Sequence, residues 1–322
     1  MKRRAALVWT ANHWDNFGLP FLVVVLLVVF SLLSSSFRSS YNLVSNLSFA
    51  SLVGIGSIGM VFCIMSGDFD ISIGSMSALA GVLGASMVGR LGGPGAILLT
   101  IVLATLCGLL NGVFVTKLRI PAFITTLGMQ FVYRALAYIY TTNAPVYIKD
   151  KFWLSIGSGT VLGIPIAILL MVVCFAVALY VLRKTPFGRY VVAVGTNKDA
   201  AMLSGINVDF VKMAVFTLVG FFVGIATVVT ASYLGSVNPG MTGQGYEFRV
   251  ITIVVLGGTA LTGGNGNLLG AFFAALFITY MENGLSMAQV NSYWQYVATG
   301  MVLIFAVGIN RLKSAILGQR ET

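Results

Sequence analysis

The chain has 322 residues, of which 58% are hydrophobic and only 9% charged, and its net charge is +10. Soluble domains average about 25% charged residues, so this composition excludes a soluble fold and specifies an all-α integral membrane protein, with no tail or loop long enough for a second domain beside residues 1–322. The cations are spread over loops instead of gathered on one folded face, a pattern set by membrane topology and not by nucleic acid.

In chain order, Lys2-Arg3-Arg4 resembles the start of a signal peptide, but the apolar run begins only near Gly18 and reaches about Ser36 without a cleavage-like site. It reads as an uncleaved first span. A span takes about 20 apolar residues at ~1.5 Å rise per residue, and hydropathy predicts ten: 18–36, 48–66, 71–88, 95–116, 121–141, 161–182, 212–232, 248–263, 267–284 and 293–309. With the N-terminus inside, thirteen cations fall in the cytoplasm: Lys2, Arg3, Arg4, Lys117, Arg119, Arg183, Lys184, Arg189, Lys198, Lys212, Arg311, Lys313 and Arg320. Five fall outside (Arg38, Arg90, Lys149, Lys151 and Arg249), and Arg134 lies within a span. This bias predicts a multi-pass protein with both termini cytoplasmic.

Glycines recur at close spacing in several spans, as Gly54/Gly56/Gly59, Gly81/Gly84, Gly108/Gly112 and Gly220/Gly224. Pairs four apart let helices approach closely in lipid, so they predict a tight bundle and say nothing of a substrate. In the external loop from Asn143 to Gly159, Tyr147, Phe152 and Trp153 read as interfacial aromatics. Two segments break the helical pattern: Ser66 to Ser75 (SGDFDISIGS) and Gly257 to Gly266 (GGTALTGGNG). Each is either a cytoplasmic turn or a broken helix lining a pathway, where protein or water can satisfy the freed backbone.

Ionisable and polar groups within spans are costly and therefore informative. Arg134 shares a helix face with Gln130, one turn earlier. It is either an ion pair or carbonyl clamp holding helices together, or a gating group. Asp68 and Asp70 either cap the following helix or line the pathway. Glu282 near a span end can snorkel to the interface. Ser72, Asn111, Thr125, Thr126, Gln130 and Asn283 are the remaining polar candidates for a pathway, with Arg134 and Asp70 better suited to architecture or gating.

Several chemistries are excluded. The cysteines, Cys63, Cys107 and Cys174, lie in apolar runs, and His13 is the single histidine, so no metal cluster or His-based triad can be assembled. No Gly-Lys pair exists, so there is no phosphate-binding P-loop. No catalytic or cofactor-binding residue is expected.

The basic island from Arg183 to Val208 stands apart from the apolar sequence around it. It predicts a short cytoplasmic helix near Asn197–Ser204, with Thr196 as start cap, Asp199 three residues on, and Gly205 at the position after the end. Ala200, Ala201 and Leu203 give it a small apolar face. Two turns are too few to be stable alone in water, so the helix needs a surface to dock on.

Four stretches, SGDFDISIGS (66–75), KLRIPAFITTLGM (117–129), TPFGRYVVAVGTNKDAAMLSGINV (185–208) and VLGGTALTGGNGNLLGA (255–271), resemble the permease subunits of ATP-binding-cassette monosaccharide importers of the ribose/arabinose/xylose/galactoside branch. The Asp-Phe-Asp at 68–70, where many members have Gly-Ile-Asp, looks most like the arabinose type. The resemblance implies a type II importer fold in the bacterial inner membrane, working as a homodimer or paired with a sister permease. It also implies an ATPase subunit below, which binds the ATP, and a periplasmic sugar-binding protein above. The short helix would be the coupling helix, with Gly188, Arg189, Gly195, Asn197, Asp199, Ala200, Ala201, Leu203 and Gly205 on the loop that meets the ATPase. A monosaccharide, above all a pentose, would be the cargo; a hexose, an autoinducer-like sugar or a branched-chain amino acid are the alternatives. A self-sufficient secondary transporter is a different class, and would respond to an ion gradient. A membrane scaffold is a third, and would not need the glycine-rich breaks.

Overall fold

The computed structural model describes residues 2–317, with side chains over residues 18–308. The terminal cations Lys2, Arg3, Arg4, Arg311, Lys313 and Arg320, and His13, lie outside the described side chains.

Helices dominate. In order they are α1 (Lys2–Leu33), α2 (Ser40–Met65), α3 (Ile73–Ser86), α4 (Val88–Thr116), α5 (Ala122–Thr141), α6 (Lys151–Ser158), α7 (Ile166–Lys184), α8 (Pro186–Thr196), α9 (Lys198–Leu203), α10 (Val208–Leu234), α11 (Tyr246–Leu256), α12 (Leu268–Met287) and α13 (Ser292–Leu317). Four two-residue strands complete the fold: β1 (Val146–Tyr147) pairs antiparallel with β4 (Ser236–Val237), and β2 (Thr160–Val161) with β3 (Ile164–Pro165). Among the described residues, α2, α4, α7, α10 and α12 are long and apolar enough to cross a membrane.

The most buried helix is α2. From Ser48 to Met65 every residue but the partly buried Phe49 is buried, as befits a helix that is apolar or small on all sides. Around it the predicted glycine pairs do their packing. Gly108 of α4 meets Gly220 of α10, Gly112 lies on Met213, and Gly224 on Ile101, so that a Cβ at Gly220 would strike the backbone of Ala104 and Thr105, and one at Gly108 the backbone of Phe216 and Gly220. Small residues on both helices thus let two backbones touch.

Two predicted spans come out short. The stretch 71–88 yields α3, with 14 residues, and 248–263 yields α11, with 11. At ~1.5 Å per residue these are roughly 21 and 17 Å long, well below the ~30 Å of a hydrocarbon core. α11 stops early because Gly257 and Gly258 follow it, Gly258 with φ of +88°. α4 is continuous only after a kink at Gly92 (φ 67°, ψ 172°), next to Pro94.

The aromatics of the 143–159 loop divide. Tyr147 and Phe152 are exposed, but Trp153 is fully buried and its indole N–H donates to the Val228 carbonyl of α10 at 3.1 Å. It is a core residue and not an interfacial one, because α6 turns that face onto α10.

Candidate functional site

Three polar assemblies stand out, and the first joins the three sequence motifs. Gly264, in the second glycine-rich break, donates its N–H to the carbonyl of Met65, the last residue of α2, at 2.8 Å. Gly195, near the end of α8, lies against the same carbonyl and against the Gly264 nitrogen, with no room for a Cβ. Gly263 packs on the Gly195 carbonyl and on Gly67. The first break, the basic island and the second break therefore share one backbone junction at the α8/α9 end of the molecule. A few residues beyond it, Lys212 of α10 reaches Asp68 Oδ2 at 2.8 Å, with both side chains mostly buried. The Asp68 carboxylate thus holds the first turns of α10 to the α2–α3 break.

The basic island holds more structure than the sequence predicts. Thr185 caps α8, accepting from the Gly188 N–H at 3.4 Å, with Pro186 at the first helical position. The cap of α9 is Asn197, not Thr196: Asn197 sits in extended backbone (φ −157°, ψ 104°) and its Oδ1 accepts from the Ala200 N–H at 2.9 Å. Thr196 is instead the last residue of α8, its hydroxyl turned back to the Val192 carbonyl. Gly205 adopts φ of +82° after the helix, and the bonds Gly205 N–H to Met202 and Ile206 N–H to Ala201 close a Schellman motif. Ala201 faces inward at 4% exposure, whereas Ala200, Met202 and Leu203 face out, Leu203 at 88%. Gly188 is buried, while Arg189, Asn197 and Asp199 lie on the surface.

The second assembly is buried at the start of α3. Asp70 Oδ1 accepts from the Ser72 backbone N–H at 2.9 Å and the Ser72 hydroxyl at 2.6 Å, and its Oδ2 from Asn111 Nδ2 at 3.0 Å. The Tyr133 hydroxyl donates to Asn111 Oδ1 at 3.0 Å and lies 2.9 Å from the Cys107 carbonyl. Thr126 Oγ1 approaches the Phe69 carbonyl at 3.4 Å. Asp70, Ser72, Asn111 and Thr126 are all fully buried, and together with Tyr133 they tie α3 to α4 and α5. Thr125 is buried beside them, its hydroxyl without a hydrogen-bond partner among the described residues. Asn283 belongs to neither group; it exchanges amide hydrogen bonds with Asn42 of α2 at 3.0 and 3.2 Å, a helix-to-helix tie.

The third assembly is built on Arg134 and Gln130, and of the readings the sequence allows for Arg134 the structure shows the carbonyl clamp. After β4 the chain runs without regular structure from Asn238 to Gly245 before α11 begins. Arg134 donates to the carbonyls of Pro239 and Thr242 in this loop at 2.6 and 2.7 Å, a carbonyl clamp. One turn earlier, Gln130 donates to Glu247 Oε1 at 3.3 Å. Gly74 of α3 and Gly243 of the loop press together so closely that a Cβ on either would strike the other's carbonyl. Glu247, only 4% exposed, carries no periodicity signal because it follows three glycines at the edge of an apolar run. Glu282 likewise does not snorkel: it forms an ion pair with Arg249 of α11 at 2.7 Å.

Comparison with known proteins gives a consistent answer. Residues 42–307 match the family described as "Branched-chain amino acid transport system / permease component". The ribose import permease protein RbsC of Haemophilus influenzae is 38% identical over 88% of this chain and 90% of its own length. RbsC of Escherichia coli is 36% identical over 90% and 92%, and the L-arabinose transport system permease protein AraH of Escherichia coli is 35% identical over 93% and 92%. No solved structure matches the chain at a significant level.

Proposed function

Because the chain belongs to this permease family, we propose that it is the membrane-spanning subunit of an ATP-binding-cassette importer that carries a pentose, ribose or arabinose, across a bacterial inner membrane. The observation that carries this reading is an identity of 35–38% to permeases named for those two sugars, over some nine tenths of each chain. The family description mentions branched-chain amino acids, which keeps that cargo as the second reading.

In this reading both termini are cytoplasmic, and the short helices complete two crossings with the irregular backbone before them: the 66–72 break with α3, and the loop after β4 with α11. The chain pairs with itself or a sister permease, an ATPase subunit docks below, and a sugar-binding protein delivers cargo from above. α9 serves as the coupling helix. A six-residue helix is too short to stand alone, and this one, packed on its own chain through Ala201, still turns Ala200, Met202 and an 88%-exposed Leu203 outward, where a partner surface would cover them. Its motion reaches the interior through the Gly195–Met65–Gly264 junction and the Lys212–Asp68 ion pair. Asp70, Ser72, Asn111 and Thr126 hold the half-length α3 in place as it tilts, and serve architecture more than sugar contact.

The test is Leu203→Arg in the tagged full-length chain, purified in mild detergent from its own host. Recovery of an ATPase subunit is expected to fall at least about tenfold, equivalent to about 1.4 kcal/mol of docking energy, with membrane insertion unchanged. Undiminished ATPase recovery together with wild-type sugar uptake would remove α9 from the coupling role.

A further inference from the structure

Polar side chains and open backbone at the middle of a span do not face lipid: unsatisfied groups there cost several kcal/mol each. In the importer reading the loop Asn238–Gly245 reaches back to that depth from β4. Its carbonyls are clamped by Arg134, the thirteenth of the 20 residues of α5. The adjacent Tyr133 hydroxyl lies 2.9 Å from the carbonyl of Cys107, which at ~1.5 Å per residue sits roughly 13 Å up α4 from Thr116. Near this level the loop presents Met241, Gln244 and Gly245 outward, and Phe248 of α11 follows, 63% exposed. Gln244 is a neutral amide that can both donate and accept, and it is exposed between Met241 and Phe248.

Resting on the importer reading above, we infer that this face lines the sugar pathway, and that Gln244 and Phe248, with Gln130 behind them, form the mid-membrane station where the sugar is held. The chemistry suits a neutral monosaccharide. A side-chain amide exchanges hydrogen bonds with hydroxyl groups without holding a charge, and an exposed phenyl ring covers the apolar C–H face of a sugar ring. None of these contacts is a buried ion pair, so the cargo can leave again. The carboxylate of Glu247 lies turned inward, with Gln130 donating to it, and so positions the station without charging it. No helical ladder shapes the loop: it is held by the two Arg134 hydrogen bonds, by the Gly74–Gly243 contact, and by turn bonds in which Asn238 Oδ1 accepts from the Gly240 and Met241 N–H groups and the Asn238 N–H donates to Thr242 Oγ1.

The experiment is cysteine accessibility with the whole importer in cells. Gln244→Cys is treated with a membrane-impermeant maleimide from the outside, and the wild type, whose three cysteines are buried or half-buried, is the blank. Labelling at least about tenfold faster than the blank is expected, since thiols react where water reaches them, with slowing when pentose is supplied with its binding protein. Labelling only by a lipid-soluble maleimide would put the face in lipid. No labelling, with rapid cross-linking of the introduced thiols of two copies by a short bifunctional reagent, would make it a dry interface between subunits. Both outcomes overturn the proposal. Phe248→Ala gives a second arm: a rise in KM for the sugar with little change in kcat is expected, and an unchanged KM contradicts the ring's role. Wild-type pentose uptake is recorded alongside, so that absence of uptake counts against the importer reading itself and not against the location of the station.

Discussion

Arg134→Leu is expected to lower the unfolding midpoint in detergent by about 5 °C or more and to reduce transport below about a tenth of wild type. The guanidinium donates at 2.6 and 2.7 Å to the carbonyls of Pro239 and Thr242, buried residues of irregular backbone. Leucine keeps the position apolar and packed but leaves both oxygens without that donor, and each orphaned buried group costs about 1–3 kcal/mol. The loss therefore amounts to about 2–6 kcal/mol, enough to release the loop that carries Gln244. Arg134→Lys restores only part of it, because both bonds come from one terminal nitrogen, Nη1, and the lysine ammonium keeps the charge on a side chain one bond shorter. A midpoint unchanged in Arg134→Leu would mean that the loop holds its shape by other means.

Gly195→Val is expected to eliminate ATP-dependent transport even where protein still reaches the membrane. The added Cβ meets the Met65 carbonyl oxygen and the Gly264 nitrogen, both of them backbone. Backbone on three segments cannot move aside as a flexible side chain can, so overpacking here costs about 3 kcal/mol or more. It also opens the junction through which α8 and α9 reach the two breaks. Gly89→Ala is the matched control: nothing lies within 4 Å of a Cβ there, and replacing a helical glycine gains about 0.5–1 kcal/mol. Equal transport by the two variants would dissociate the junction from coupling.

Much of the architecture is legible in the residues. The apolar runs locate the long helices, and the Gly108/Gly112 and Gly220/Gly224 spacing marks a close crossing, because small residues four apart let two backbones meet in lipid. The SGDFD and GGTALTGGNG segments announce breaks through their glycines and acids, and the Thr196, Asp199 and Gly205 pattern announces α9, though its cap proves to be Asn197. What hydropathy does not express is depth. The stretches 71–88 and 248–263 are apolar enough to look like spans, yet the helix of the second, begun at Tyr246, is ended after 11 residues by Gly257 and the left-handed Gly258. A window average does not register a left-handed glycine. The loop NPGMTGQG holds the signal that hydropathy passes over, since a proline and three glycines before a supposed span start predict irregular backbone.

The candidate site is legible in its parts and not in its groupings. Asp70, Ser72 and Asn111 stand out as polar residues in apolar surroundings, but only the fold brings Asn111 within hydrogen-bonding distance of Asp70, Ser72 and Tyr133. Asp68 and Lys212 are 144 positions apart (212 − 68) and meet at 2.8 Å, a pairing no local pattern encodes. The cap of α9 lies one residue beyond the expected Thr196 because two helices abut there, and Asn197 is the residue left in extended backbone between them. Trp153 departs from the interfacial expectation because a carbonyl of α10 offers its indole a buried acceptor, whereas aromatic residues near a span end suit the interface in general.

Whether this chain conducts sugar under the control of a separate ATPase is tested most directly in proteoliposomes. The purified chain is reconstituted with its ATPase and binding protein, and uptake of labelled ribose and arabinose is followed with and without ATP in the compartment facing the ATPase. Pentose accumulation is expected to require ATP, the ATPase subunit and the binding protein together, and to be indifferent to an imposed proton or sodium gradient. Uptake by the chain alone, driven by such a gradient and unaffected by ATP, would contradict the importer reading and make the chain a self-sufficient secondary transporter.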